Sequence, residues 1–195
     1  LANGALSADG TEGEIRRKMI ERGLVEAIVI LPRNLFYSTD ISVTLWILNA
    51  NKKARIVHRN GEEIHYRDRE KEILFIDMRQ MGEPFEKKYV RFTDEDICKV
   101  ADAYHNWQRE GHTETYTDIP EFCKSVSVGE DGGIADKGFS LVPSKYIEFV
   151  NRDESVDYDI RMKELQLELA DILRQEAKSR ESVLNVFKSL GYEIE

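Results

Sequence analysis

Apolar residues cluster most densely in two short runs near the start of this chain. Residues 25–31 (Val-Glu-Ala-Ile-Val-Ile-Leu) and 43–48 (Val-Thr-Leu-Trp-Ile-Leu) have strand length and strand composition, so each predicts a buried strand. The eleven residues between them, 32–42, are too few for a parallel crossover, so the pair is expected to be antiparallel. That connection carries Pro32, Phe36 and Tyr37, an aromatic pair held between two buried strands. It can serve as a platform for a flat ligand, or it can plug the end of the core.

The remaining pattern is mixed. Residues 1–10 read as loop, and Thr11 with Glu14 forms a capping box that opens a helix bearing Ile15, Met19 and Ile20 on one side. Gly23 supplies its left-handed stop. Asn60-Gly61 between 54–58 and 63–67 predicts a hairpin, and Arg55, His58, Arg59, Arg67 and Arg69 leave it weakly buried. Residues 73–77 form a further strand. Thr93 caps a helix whose Ile97, Val100, Ala101, Tyr104 and Trp107 share one face, with Asp94, Glu95 and Asp96 in its first turn. Pro120 is expected to start a short helix through Lys124; 129–133 is loop, and 139–142 and 146–150 are short strand-like pieces. From Asp157 a long charged helix carries Met162, Leu165, Leu169, Ile172 and Leu173, then Val183, Leu184, Phe187 and Leu190 up to Gly191. Such a stripe must be buried against something, in its own chain or in another.

Composition narrows the field. The 195 residues hold one ordinary domain, or a small domain with a helical tail. A net charge of −9 argues against gripping DNA by bulk electrostatics, yet residues 1–60 carry nine Lys and Arg against six Asp and Glu. Residues 93–195 carry twelve against twenty-three, so any nucleic-acid face belongs in the first third. No apolar run approaches the length of a bilayer span and no leader opens the chain, so a cytoplasmic protein without membrane partners is expected. Cys98 and Cys123 read as reduced thiols, and His58, His65, His105 and His112 lack ligand spacing, so no metal is expected.

Several blocks carry a resemblance. Asn3-Gly4-Ala5-Leu6-Ser7, Glu14-Ile15-Arg16 and Leu31-Pro32 leading into Leu35-Phe36-Tyr37, Thr39 and Ile41 are followed by Ile73-Leu74-Phe75-Ile76-Asp77. Ala103-Tyr104-His105-Asn106-Trp107, Phe122-Cys123-Lys124 and Leu141-Val142-Pro143-Ser144-Lys145-Tyr146 complete the series. Together they resemble the modification subunit of type I restriction–modification systems, in the part after its catalytic Asn-Pro-Pro-Phe motif. That motif and the glycine turn that binds S-adenosylmethionine are both missing here, and the chain opens at Leu1 in mid-motif. The resemblance therefore implies a C-terminal fragment, inactive alone, without catalytic or cofactor-binding residues.

The fold so implied is α/β, the terminal part of a Rossmann-like methyltransferase sheet with antiparallel edge strands, followed by a mainly helical C-terminal region. Residues 1–92 would end the α/β domain, 93–150 would extend it with helix and short strands, and 151–195 would be a helical tail for assembly. The full-length subunit would transfer a methyl group from S-adenosylmethionine to the exocyclic amine of adenine in DNA. An extruded adenine needs stacking partners, and the resemblance places that role on Phe36 first and Tyr37 second. Asn34, Ser38 and Thr39 are candidate DNA contacts, as are Arg16 and Arg17 of the basic helix, whose alternative is a solvated outer face. Asp77 is expected to hold local backbone. Met162, Leu165, Leu169, Ile172 and Leu173 would form a subunit interface. The implied partners are DNA, a specificity subunit, a second modification subunit and, where present, a restriction nuclease subunit. The competing reading is a non-enzymatic protein-interaction module whose aromatic loop is core.

Overall fold

Helix α1 (Gly10–Glu21) leads into strand β1 (Val25–Ile30), the most deeply buried element of the chain. The computed structural model describes residues 1–129, 131–150 and 158–190. After β1 come β2 (Thr44–Leu48), the hairpin β3 (Arg55–Arg59) and β4 (Glu62–Tyr66), and β5 (Glu72–Asp77). A second hairpin, β6 (Glu83–Phe85) and β7 (Tyr89–Arg91), precedes α2 (Asp94–Gln108), α3 (His112–Thr115) and β8 (Cys123–Ser127). A long helix, α4 (Tyr158–Ser189), follows. Two units result, Leu1–Val150 and Asn151–Glu195. Residues 151–157 and 191–195, including the Gly191 up to which the second stripe was expected to run, lie outside the described residues. No described helix is long and apolar enough to cross a membrane.

The first unit is built on a mixed four-stranded sheet in the order β2-β1-β5-β8. β2 returns antiparallel to β1 as expected, β5 runs parallel to β1, and β8 is antiparallel to β5. Alternate residues feed two cores. Val25, Ile28, Ile73 and Phe75 pack with Leu6, Ile20, Ile134, Leu141, Tyr146 and Ile147 on one side. Ala27, Val29, Leu74 and Ile76 pack on the other with Trp107, Met78, Phe122 and Cys123. Burial on both faces is why β1 and β5 read as continuous apolar runs.

Several expectations are corrected. α1 begins at Gly10 with Asp9 at its N-cap, so Thr11 lies within the first turn and makes no capping box. The chain before it sets that start: the Arg16 guanidinium donates to Ala5 O and Ala8 O, drawing residues 5–8 against the helix. The buried side of α1 therefore carries Arg16 and Ile20, while Ile15 is exposed. Ile97 of α2 is likewise exposed; Val100, Ala103, Tyr104 and Trp107 supply the packed face. Residues 123–127 form strand β8, where a helix through Lys124 was expected, because β5 still offers an unpaired edge there. Residues 139–142 and 146–150 form no strand; a single 3-10 turn, Pro143–Lys145, links buried Leu141 to Tyr146 and Ile147.

Other local signals hold. Gly23 (φ +66) ends α1, with Leu24 N–H donating to Met19 O at 3.0 Å. Asn60 and Gly61 both take positive φ in the β3–β4 turn. Thr93 and Asp96 cap α2 reciprocally, Asp96 N–H donating to Thr93 Oγ1 and Thr93 N–H to Asp96 Oδ2.

The largest departure is polar. Arg67 and Arg69 are buried, and a bulge in β1 supplies the partner of Arg69. Val25 faces Leu48 while Ala27 faces Ile47, so Glu26 is the extra residue. Its buried carboxylate accepts from Arg69 Nε (3.0 Å), Gln108 Nε2 (2.9 Å) and Asn49 Nδ2 (2.5 Å). Arg67 donates to Trp107 O and, in bidentate fashion, to Glu72. Trp107 Nε1 donates to Ser125 Oγ, which donates on to Glu72. This network joins β1, β5, β8 and the end of α2.

Lys52 lies in the same region, its ammonium donating to Val25 O (2.9 Å) and Glu72 O (2.6 Å). Burial pushes its pKa down to about 8 from 10.5. The unfolded chain thus binds the extra proton between those values, and stability rises with pH across the window. Relative to Lys52→Met, the native chain should gain stability from about pH 8 to 10.5 in urea titrations. A difference that stays flat with pH would refute the depressed pKa.

Candidate functional site

In open sheets, ligands bind beyond the carboxyl ends of parallel strands. Here the parallel pair is β1 and β5, and the segments that leave their carboxyl ends meet. β1 runs into the aromatic loop, 32–42; β5 runs through Asp77 into the β6–β7 hairpin. Val90 N–H of β7 donates to Asn34 O at 3.1 Å, and the Tyr37 and Tyr89 rings lie 4.6 Å apart at 64°.

The loop is held at several points. Pro32 is buried, Asn34 takes φ +59, and Thr39 N–H donates to Phe36 O at the base of a tight turn. Ser42 Oγ donates to Leu31 O, and Arg33 Nε donates to Asp40 O. Phe36 is 43% exposed and Tyr37 70%, so neither ring plugs the core. Ser38 is exposed and Thr39 half-buried, with the Thr39 hydroxyl oxygen facing the Ile41 N–H at 3.4 Å. Asn34, Phe36, Tyr37, Ser38 and Thr39 therefore lie together on one loop, with Phe36, Tyr37 and Ser38 exposed.

Two candidates lie elsewhere. Arg16 of α1 is not a surface cation: it is 5% exposed and spends its donors on Ala5 O, Ala8 O and Phe139 O. That removes it from the DNA contacts, because the carbonyls around a helix start need donors more than the solvent does. Arg17 is exposed, paired with Glu21 at 2.7 Å, and its guanidinium lies over the Phe139 ring. Asp77 holds local backbone: Oδ1 accepts from Arg79 N–H at 2.9 Å, and both oxygens take the Arg79 guanidinium.

The β6–β7 hairpin was invisible to periodicity because each strand has three residues. Its tip, Glu86-Lys87-Lys88, is exposed, and Glu86 and Lys87 both take positive φ. Gly82 is needed beside it, since a Cβ there would meet Val90 Cγ1 at 2.6 Å. Among the described residues no cluster of three or more His, Cys, Asp or Glu could hold a metal. On α4, Met162, Leu165, Leu169, Ile172 and Leu173 are all exposed.

Comparison with known proteins follows the same lines. A family model described as N-6 DNA Methylase matches residues 1–155. The HindI type I restriction enzyme methylase subunit of Haemophilus influenzae is 37% identical over 98% of this chain and 38% of its own length. The MjaIX methylase subunit of Methanocaldococcus jannaschii is 31% identical over 98% of this chain and 31% of its own. The chain thus spans about a third of the length of each of these relatives. Among solved structures, the type I methyltransferase subunit of Streptococcus thermophilus superposes with a TM-score of 0.57 at 26% identity. It covers 76% of this chain and 25% of that one.

Proposed function

Because the chain belongs to the N-6 DNA methylase family, we propose that it works as part of a type I DNA methyltransferase subunit. The reaction is transfer of a methyl group from S-adenosylmethionine to the exocyclic amine of adenine in DNA. In this reading the four-stranded sheet is the terminal part of a Rossmann-like methyltransferase sheet. Residues 1–92 end the catalytic domain, 93–150 extend it, and 151–195 serve assembly. With neither an Asn-Pro-Pro-Phe motif nor the cofactor's glycine turn, this stretch supplies the edge of the target-base pocket and a surface for the specificity subunit and a second modification subunit.

The observation that carries the proposal is the braced, exposed aromatic pair at the carboxyl end of β1. Adenine in duplex DNA must leave the stack before its amine can be reached, and the extruded base needs a flat apolar face. Phe36 and Tyr37 provide one, and Asn34, Ser38 and Thr39 line the approach. A core residue would behave differently: truncating a buried Phe costs about 3–5 kcal/mol. In the intact subunit, replacing both rings by Ala should depress methylation roughly tenfold or more, in line with a stacking worth about 1–3 kcal/mol per base. The melting temperature should hardly move. A melting loss large enough to account for the lost turnover would defeat the base-pocket reading.

A further inference from the structure

The hairpin tip is a basic, exposed feature in contact with the aromatic loop that the base-pocket reading leaves unused. Lys87 and Lys88 are both exposed. Lys88 lies 3.9 Å from Asp40 of the loop and 5.5 Å from the Tyr89 ring centroid. Arg91, the next cation along, is engaged by Glu83 at 2.6 Å. Asp40 is thus the acid that Lys88 meets, and its backbone carbonyl takes Arg33 Nε. An exposed pair such as Lys88–Asp40 contributes little and is readily exchanged for a stronger anion. Two successive non-glycine residues at positive φ, Glu86 and Lys87, hold the tip in a conformation that L side chains rarely adopt.

The two aromatics also differ. Tyr37 is the more exposed ring and is the one that Tyr89 supports edge-on. A ring held from one side keeps its orientation without losing further freedom when a base settles on it, which suits it to stacking. Phe36 instead closes the Thr39 turn through its backbone.

We propose that the β6–β7 hairpin is the second half of the DNA interface: Tyr89 positions Tyr37 as the stacking ring, and Lys87 and Lys88 take phosphates of the same DNA strand. This rests on the base-pocket reading of the loop and adds the ring, its support and the phosphate contacts. Sugar-phosphate flanking a base stacked on Tyr37 passes over the hairpin tip, where the lysines replace condensed counterions.

The test uses the full chain and a short single-stranded DNA oligonucleotide carrying one fluorescent adenine analogue, titrated over a range of salt. Binding should quench the analogue by stacking. Tyr37→Ala should remove the quench and weaken binding roughly tenfold. Tyr89→Ala should reduce the quench, and Tyr89→Phe should restore it, since the ring edge and not the hydroxyl does the positioning. Lys87→Ala with Lys88→Ala should keep the quench at saturation while making the salt dependence shallower by roughly 1.4, at about 0.7 per phosphate. Circular dichroism checks that each variant is folded. Loss of the quench in Phe36→Ala but not Tyr37→Ala overturns the ring assignment, and an unchanged salt dependence in the lysine variant overturns the phosphate contacts. In both cases the base-pocket reading survives. If neither aromatic variant alters the quench, or the oligonucleotide does not bind, that reading and the inference fall together.

Discussion

Replacing Glu26 by Ala is expected to destabilise the chain by about 3–5 kcal/mol, the cost of breaking a buried ion pair by removing one partner. Glu26 and Arg69 are both buried, 3.0 Å apart, and Arg69 Nη2 already has no hydrogen-bond partner. Without the carboxylate, the guanidinium keeps only its bonds to Arg67 O and Gln108 O, while the side-chain amides of Gln108 and Asn49 lose their acceptor. Urea titration measures the loss; a change below about 1 kcal/mol would mean water replaces the carboxylate at little cost. Acid should produce the same weakening. Burial alone would raise the pKa of Glu26, but hydrogen bonds from Gln108 and Asn49 and the charge of Arg69 outweigh it, leaving the value below 4.5. A depressed carboxylate contributes stability above its unfolded pKa and loses it as pH falls through the folded one. The stability difference between the native chain and Glu26→Gln should therefore shrink below about pH 4.5.

The second large effect concerns α4. Changing Leu165 and Leu169 together to Asp should abolish assembly with a specificity subunit and leave the spectrum of the folded chain intact. The helix has 32 residues, and its exposed Met162, Leu165, Leu169 and Ile172 recur at spacings of three and four. Val183, Val186 and Leu190 continue that spacing after Glu176 and Ser179 interrupt it. Two charges in such a seam would have to be desolvated unpaired when the complex forms, which costs far more than a single contact contributes. Co-purification and sedimentation read the result. Normal assembly by the double variant would sink the interface. A variant that no longer folds would assign the stripe to the chain's own core.

Much of the fold was legible where a local signal and the tertiary environment agree. Strands 25–31, 43–48 and 73–77 lie within one residue of β1, β2 and β5. Continuous apolar runs suit β1 and β5, buried on both faces, whereas β2, expected to be buried, is an edge strand that leaves Leu45 and Leu48 exposed. The Asn60-Gly61 turn, the Gly23 stop and the Thr93 cap follow from backbone requirements that few other residues meet. The aromatic pair in the β1–β2 loop was readable as a feature, but whether its rings face outward or plug the core was not; the structure leaves both exposed.

Tertiary structure alone decided the rest. Cys-Lys-Ser-Val-Ser has no strand pattern of its own; it becomes β8 because the free edge of β5 offers hydrogen bonds and Cys123 and Val126 reach the two cores. Arg16, Arg67 and Arg69 look like surface charge in sequence. They are interior because distant groups converge on them: Phe139 O on Arg16, Trp107 O and Glu72 on Arg67, and the bulged Glu26 on Arg69. Tyr89 meets Tyr37 only because β1 and β5 are parallel and release their following segments at the same end of the sheet. Side-chain periodicity reports which face of an element is apolar, and that much the chain carries locally. Which polar groups find partners, and which loops meet, depends on contacts between residues far apart in sequence, and these exist only once the sheet has formed.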